Sequence, residues 1–462
     1  MADLHVDALV IGSGQGGGPL AGAFARAGRH TILIERRYIG GTCINDGCTP
    51  TKTMIASARV AHLAKRASDF GVRCGDVSVD LPAVLARKRA VVTDFRQGSE
   101  HRLATAGVEV IFGDARFVGE RRVEVHVTDG STRTLSADTV IINAGARPAR
   151  PQIPGLDQVS ALDSTSIMEL EMLPTHLVVI GGGYVGVEFA QMFRRFGSRV
   201  TIVNRDAQLL AHEDQDIADA VAAILREDGL DILLDAQPTR VAPIPNGVRL
   251  EVTAHGNARR IEASHVLVAT GRVPNTDALH AGAAGIAVDP RGYITVDERL
   301  ATTAPGVYAI GDVKGGPAFT HISYDDFRIL RTNLLQGGAA TTAGRLVPYA
   351  VFIDPQLGGI GLTERQARAQ RRNVAVAMMP MSHVARAVEV AEPRGLMKVV
   401  VDRDTSRLLG CAVLGLEGGE IMSMLQLAMM GDLPYTTLRD AVFAHPTFAE
   451  SMNNLFAGLT PV

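Results

Sequence analysis

Short apolar runs closed by glycine punctuate this chain, and one arrangement of them occurs twice. His5–Ile11 (HVDALVI) is a β-rich run that stops at Gly12-Ser13-Gly14-Gln15-Gly16-Gly17. Pro19–Ala27 then has helical composition, and Thr31–Glu35 (TILIE) is a strand of the fully buried type. Further on, His176–Ile180 (HLVVI) leads into Gly181-Gly182-Gly183-Tyr184-Val185-Gly186, a helix from Val187 to Phe196, and a strand Arg199–Val203 (RVTIV). Each is a strand–turn–helix–strand unit. Two more apolar strands, Thr139–Gly145 (TVIINAG) and His265–Gly271 (HVLVATG), end in a small residue and glycine, and Gly306–Asp312 (GVYAIGD) puts an acid just after a buried run.

The glycine spacing in both units is G-x-G-x-x-G, and each glycine has a distinct steric task. The first permits the tight turn, the second lets backbone N–H groups approach a pyrophosphate, and the third lets helix and strand pack closely. In the first unit these are Gly12, Gly14 and Gly17; in the second, Gly181, Gly183 and Gly186. Glu35 ends the second strand of the first unit, where a carboxylate binds ribose hydroxyls. At the equivalent place in the second unit stands Asn204, followed by Arg205. A neutral residue followed by arginine favours a 2′-phosphate, so NADPH is expected ahead of NADH. Two nucleotide folds in one chain suggest a flavin and a nicotinamide, between which hydride passes. The two TVIINAG- and HVLVATG-type strands then read as crossings between the nucleotide domains, and Asp312 as a carboxylate for a ribityl hydroxyl.

Composition narrows the class. A chain of 462 residues suggests two or three domains. Its net charge of −3, with acids and bases interspersed, lacks the basic stripe of a nucleic-acid binder, and the absence of Trp argues against base stacking. Without a basic, apolar leader or a run of 18 apolar residues, a cytoplasmic protein is expected. In a reducing compartment a cysteine pair is more often catalytic or metal-binding than a structural staple.

Such a pair lies in Gly40–Lys52, GGTCINDGCTPTK, where Cys43 and Cys48 are separated by four residues. A permanent disulfide there closes a tiny loop and stabilises little. A zinc site needs about four ligands, and the other cysteines, Cys74 and Cys411, are isolated. A redox couple fits better. Cys48 sits just before a helix predicted over Pro50–Arg66, whose N-terminus favours a thiolate, and Lys52 acts in the same direction.

In order and spacing these motifs resemble the class I pyridine nucleotide–disulfide oxidoreductases, over essentially the whole chain. The resemblance implies an α/β protein with two Rossmann-like nucleotide-binding domains, for FAD and NAD(P), and a C-terminal α+β dimerisation domain. Boundaries fall near residues 146, 275 and 345, giving an FAD domain over 1–146 and 276–345, an NAD(P) domain over 147–275 and a dimerisation domain over 346–462. It implies that Cys43 is the interchange thiol that attacks substrate and Cys48 the thiol against the flavin. Lys52 and Glu188 match the ion pair beside the flavin N5, and Tyr184 the side chain that covers the nicotinamide site. Gly41, Thr42, Ala144, Gly145, Gly311 and Asp312 join the FAD set, and Gly271 the NAD(P) set. His445-Pro446-Thr447-Phe448-Ala449-Glu450 matches the family's His-Pro-x-x-x-Glu, in which the histidine is acid/base for Cys43 of the other subunit and Glu450 orients it. A homodimer with shared active sites follows from that match.

Within the family the chain is most similar to mercuric-reductase-like flavoproteins of the hypochlorite-resistance type, which are linked to copper(II) reduction. The stretches that carry this are Cys48–Thr53, Phe319–Ile329 (FTHISYDDFRI), Leu433–Asp440 (LPYTTLRD) and His445–Phe456 (HPTFAESMNNLF). Phe456–Val462 (FAGLTPV) has no cysteine where mercuric reductases carry a vicinal pair, which counts against mercury. No structural metal is expected, but soft thiolates suit Cu(I) and Hg(II) as passing ligands. Dihydrolipoamide dehydrogenase or another small-disulfide reductase is the alternative, and a flavin redox sensor a weaker one, since flavin binding alone needs neither the thiols nor His445. Met378-Met379-Pro380-Met381-Ser382-His383 is read as core filling rather than a copper cluster, because Met packs flexibly.

Overall fold

The computed structural model describes residues 4–459; Met1–Asp3 and the last residues of the cysteine-free FAGLTPV stretch, 460–462, lie outside it. The chain forms two compact units, Met1–Met54, Pro82–Ala149 and Gly271–Arg345 in one, and Ile55–Leu81, Arg150–Thr270 and Leu346–Val462 in the other.

The first unit is built on a six-stranded sheet. Leu4–Ile11 lies parallel to and between Thr31–Glu35 and Thr132–Ile142, so that Val10 pairs with Leu33 on one side and Ile141 on the other. Glu109–Gly119 runs parallel to Thr31–Glu35 and Val307–Ala309 parallel to Thr132–Ile142, while Arg122–Val127 pairs antiparallel with both Glu109–Gly119 and Thr132–Ile142. Unbroken apolar runs are what such a sheet needs, because both faces are covered. Leu9, Ile11, Ile32 and Ile34 enter one core and Ala8, Val10 and Leu33 the other, where they meet Leu20 and Phe24 of the helix Gly17–Arg26.

The second unit holds a parallel sheet of His265–Val268, His176–Ile180, Arg199–Val203 and Asp231–Leu233. It also holds an antiparallel sheet of Ala236–Ile244, Gly247–Ala254 and Asn257–Ala263. A five-stranded antiparallel sheet, ordered Tyr349–Val351, Gln356–Gly361, Leu408–Gly415, Leu396–Asp402 and Val374–Pro380, packs against the helix Gly418–Met430.

Helix starts depart from the sequence reading. The first begins at Gly17 rather than Pro19, the second fingerprint helix at Tyr184 rather than Val187, and the helix after the cysteines spans Cys48–Lys65 rather than Pro50–Arg66. The first-turn N–H groups of a helix need no partner within it, so glycines and Pro50 sit there without penalty and apolar periodicity is silent. Among the described residues no helix is long and apolar enough to cross a membrane.

Candidate active site

The cysteine loop is a short helix, Gly41–Asn45, followed by the start of the helix Cys48–Lys65. Its entry is steric. Gly41 has φ +64°, and a Cβ there would stand 2.6 Å from the Gly14 Cα, so the loop passes directly over the first glycine turn. Asn45 and Asp46 brace it: Asn45 Nδ2 donates to the Ile39 and Gly41 carbonyls at 3.1 and 2.9 Å, Arg96 Nε donates to Asn45 Oδ1, and Arg37 pairs with Asp46 at 2.8 Å.

No disulfide joins Cys43 and Cys48, so the geometry is that of the dithiol. Cys48 is exposed, sits at the first position of its 18-residue helix, and has its Sγ 3.3 Å from the Thr320 hydroxyl. Cys43 is half-buried. Its hydrogen bond with Cys48 pushes the Cys43 thiol far above the ordinary cysteine range, burial and the negative Cys48 sulfur add to this, and Thr320 and Lys52 pull weakly the other way. Two thiols this close do not both ionise readily.

Around the first glycine turn, substitution is blocked by backbone. A Cβ on Gly12 (φ +101°) would meet the Asn143 carbonyl oxygen at 2.3 Å, and one on Gly17 the Gly12 carbonyl oxygen at 2.2 Å. Glu35 accepts from Ser13 N at 3.0 Å and Ser13 Oγ at 2.6 Å, fixing the carboxylate at the mouth of the turn. Thr42 is exposed, and the Ala144 and Gly145 carbonyls accept from the Asn275 side chain and N–H. Asp312 is half-buried on a turn, Gly311–Lys314, where burial pushes its carboxyl up against the pull of Arg272 and Lys314.

Sequence reasoning missed what holds these parts in register. Asn143 accepts from Gly17 N at 2.8 Å and donates to the Ile310 carbonyl at 3.0 Å, joining the two turns. Asp326, fully buried, accepts from Gly311 N at 2.9 Å and pairs with Arg345 and Lys314. A lone Asn ending an apolar strand was the available signal for Asn143. The helix starting at Gly17 has Gly16 as its N-cap, which itself offers no side-chain acceptor; with Glu35 near this turn, the cradle fits the pyrophosphate and ribose of a dinucleotide such as FAD.

The second fingerprint repeats the logic with one difference. Gly181 and Gly186 are closed in by the Ala269 and Gly181 carbonyl oxygens at 2.5 and 2.0 Å from an added Cβ, whereas Gly183, the uncapped N-cap of the helix Tyr184–Phe196, faces open space. Asn204 is buried, accepting from Gly182 N at 3.0 Å and donating to the Asp206 and Gln208 carbonyls, so its amide braces the turn while Arg205 is exposed beside Asp206. Gly271 lies in the first unit, where its carbonyl accepts from Ala149 N.

On the helix Tyr184–Phe196, Glu188, Gln191 and Arg195 recur at helical spacing and are buried. Glu188 accepts from Phe352 N at 2.7 Å, Gln191 exchanges bonds with the Asp354 backbone, and Arg195 pairs with Asp228 and Asp354. The face fixes the strand-leading segment Phe352–Asp354. Lys52 belongs to the first unit and is half-buried.

Near the C-terminus, His445 Nδ1 lies 2.9 and 3.0 Å from the two oxygens of Glu450. The imidazole is 73% exposed and Glu450 only 22%, so the carboxylate orients a ring that another molecule can reach. Met379 and Met381 are buried in the core of this part of the chain and Met378 is exposed; among the described residues no group of three or more His, Cys, Asp or Glu side chains is placed to hold a metal.

Residues 6–326 match the family model "Pyridine nucleotide-disulphide oxidoreductase" and residues 347–456 its dimerisation domain. The chain is 41% identical over 455 residues to the probable pyridine nucleotide-disulfide oxidoreductase RclA of Escherichia coli, covering 97% of this chain and 98% of that one. It is 34% identical to a mercuric reductase of Bacillus cereus, over 96% of this chain and 70% of the relative. Among solved structures, the Cu(II) complex of the HOCl-induced flavoprotein disulfide reductase RclA from E. coli superposes with a TM-score of 0.90 at 39% identity, over 99% of both chains. Twin glycine cradles, a paired-thiol loop and this breadth of similarity lead to one assignment: the chain belongs to the pyridine nucleotide-disulphide oxidoreductases and is an FAD-dependent, pyridine-nucleotide-linked enzyme.

Proposed function

We propose that this enzyme carries two electrons from NADPH through FAD to a Cys43–Cys48 disulfide and from the resulting dithiol to a soft metal ion, copper(II) or mercury(II). The observation that carries the reading is the unequal pair of thiols: Cys48 exposed at a helix N-terminus beside Thr320, Cys43 held protonated next to it. Bound FAD supplies the two-electron relay between nicotinamide and disulfide. On reduction the S–S bond breaks, Cys48 keeps the negative charge and Cys43 takes a proton. Two copper(II) ions then each accept one electron from the thiolate–thiol pair, the disulfide re-forms and the one proton held by Cys43 leaves. Thiolates hold the Cu(I) product well, and a related flavoprotein is known as a Cu(II) complex.

In this reading Lys52 and Glu188 flank the flavin N5, Tyr184 covers the nicotinamide site, and the FAD, NAD(P) and dimerisation domains follow the boundaries near 146, 275 and 345. The enzyme works in the cytoplasm as a homodimer, with His445 and Glu450 serving Cys43 of the partner subunit. Steady-state NADPH oxidation with Cu(II), Hg(II), oxidised lipoamide and glutathione disulfide tests the acceptor. Turnover with a disulfide far above that with either metal overturns the proposal.

The His445–Glu450 pair favours a second reading, reduction of a small disulfide, because a leaving thiolate needs a proton and a metal ion does not. His445→Gln separates the two. It should cut disulfide turnover by about a hundredfold or more while leaving metal reduction within a few fold.

NADPH preference rests on Arg205, whose guanidinium is exposed and loosely paired with Asp206 at 3.3 Å. Arg205→Ala should raise the KM for NADPH about tenfold, equivalent to about 1.4 kcal/mol, and leave that for NADH nearly unchanged. Equal effects on both nucleotides would remove Arg205 from the 2′-phosphate site.

A further inference from the structure

Glu213 has no part in the chemistry described so far, yet it is 1% exposed and its two carboxylate oxygens are divided between two tyrosines. Tyr184 Oη donates to Oε1 at 3.0 Å and Tyr349 Oη to Oε2 at 2.7 Å, and the two rings stack with centroids 5.6 Å apart and 16° between planes. The carboxylate thus grips Tyr184 and its neighbour side by side. Burial, above all, pushes the Glu213 carboxyl up, while the two phenols pull it down.

The segment that carries Glu213 is itself tied to the second glycine turn. Leu210 N donates to the Gly182 carbonyl at 2.9 Å, Asn204 Nδ2 donates to the Gln208 carbonyl at 2.8 Å, and Gln208 Nε2 donates to the Glu213 carbonyl at 3.1 Å. On its other side Asp214 accepts from the N–H groups of Glu364 and Arg365 and pairs with Lys398 at 3.0 Å. Glu213 therefore stands on a fixed post, and Tyr184, at the first position of its helix, is the member of the trio that can swing.

We infer that Glu213 and Tyr349 are positioning residues that latch Tyr184 in its closed position and set how much of the nucleotide's affinity is lost in displacing that ring. The inference rests on the reading of Tyr184 as the cover of the nicotinamide site. Opening the cover breaks the Tyr184–Glu213 hydrogen bond and the ring stack, so the binding-competent state is a fraction of the ensemble and the apparent Kd is raised by the inverse of that fraction.

The test uses the FAD-loaded enzyme, mixed anaerobically with NADPH, with flavin reduction followed by absorbance. Glu213→Gln and Tyr349→Phe keep volume and shape while weakening the grip, and each should tighten the apparent Kd for NADPH about fivefold. Re-oxidation of the pre-reduced enzyme should not change. In a Tyr184→Phe background Glu213→Gln should have no further effect, which a merely structural role for Glu213 would not produce. Unchanged or weaker NADPH binding in both single variants, or full additivity with Tyr184→Phe, overturns the latch. Tyr184→Ala tests the underlying reading: if it too leaves NADPH binding and flavin reduction unchanged, Tyr184 is no cover. If it alters them while the other two variants do not, only the latch falls.

Discussion

Cys48→Ser should abolish the long-wavelength absorption band that appears when the wild-type enzyme is titrated with two electrons from NADPH, and should abolish turnover. Cys43→Ser should keep such a band and still lose turnover by about a thousandfold or more. The prediction follows from asymmetry in the pair. Cys48 stands at the first position of a long helix, with the Thr320 hydroxyl 3.3 Å from its sulfur. Backbone N–H groups and a hydroxyl donor both favour its thiolate. Cys43 is less exposed, and its hydrogen bond with Cys48 keeps it a thiol until Cys48 has lost its charge or been removed. Removing Cys43 leaves the charged sulfur in place, whereas removing Cys48 removes the charge donor itself. A band that survives in Cys48→Ser would reverse the two roles, and turnover that survives in Cys43→Ser would sink the dithiol mechanism for any acceptor.

What the sequence made legible follows from how local each constraint is. The glycine turns could be read because their steric demands arise within a few residues: Gly17 must clear the Gly12 carbonyl, and Gly186 the Gly181 carbonyl. The buried strands could be read because Thr31–Glu35, His176–Ile180 and Arg199–Val203 are unbroken apolar runs with both faces covered. His445 and Glu450 lie five positions apart, within one short segment. Asn143, Asp326 and Thr320 were not read as site residues because their partners come from distant sequence: Asn143 meets Gly17 across 126 positions, and Thr320 meets Cys48 across 272. A single polar residue in an apolar strand or helix looks the same whether it faces solvent or joins two turns. Asn204 shows the converse. Its position was legible, but its amide turns inward to Gly182 and Gln208, leaving Arg205 as the exposed group.

The second large effect is expected at Asp326. It lies on the helix Thr320–Leu335, which reaches three parts of the first unit at once. Thr320 touches Cys48, Ser323 crowds Gly16 and Gly311 so closely that neither tolerates a Cβ, and Asp326 holds the Gly311 N–H. Its other bonds are ionic, to Arg345 at 2.7 Å and Lys314 at 3.3 Å, both largely buried. Asp326→Ala takes the ionic partner from Lys314 and the acceptor from the Gly311 N–H, and leaves Arg345 with Asp325 alone. Breaking a buried pair from one side costs about 3–5 kcal/mol, far more than a surface pair of similar geometry. The Gly311-Asp312 turn then loses its anchor, so flavin content should fall together with the apparent unfolding midpoint. Asp326→Asn keeps an oxygen for Gly311 N but not the charge, and should lie between wild type and Ala in both measurements. If flavin content falls in Ala while the midpoint holds, Asp326 acts on the site alone; if neither moves, the helix does not depend on this carboxylate. Parallel loss is the expected outcome, because the same three bonds that set the acid turn also neutralise the interior charges.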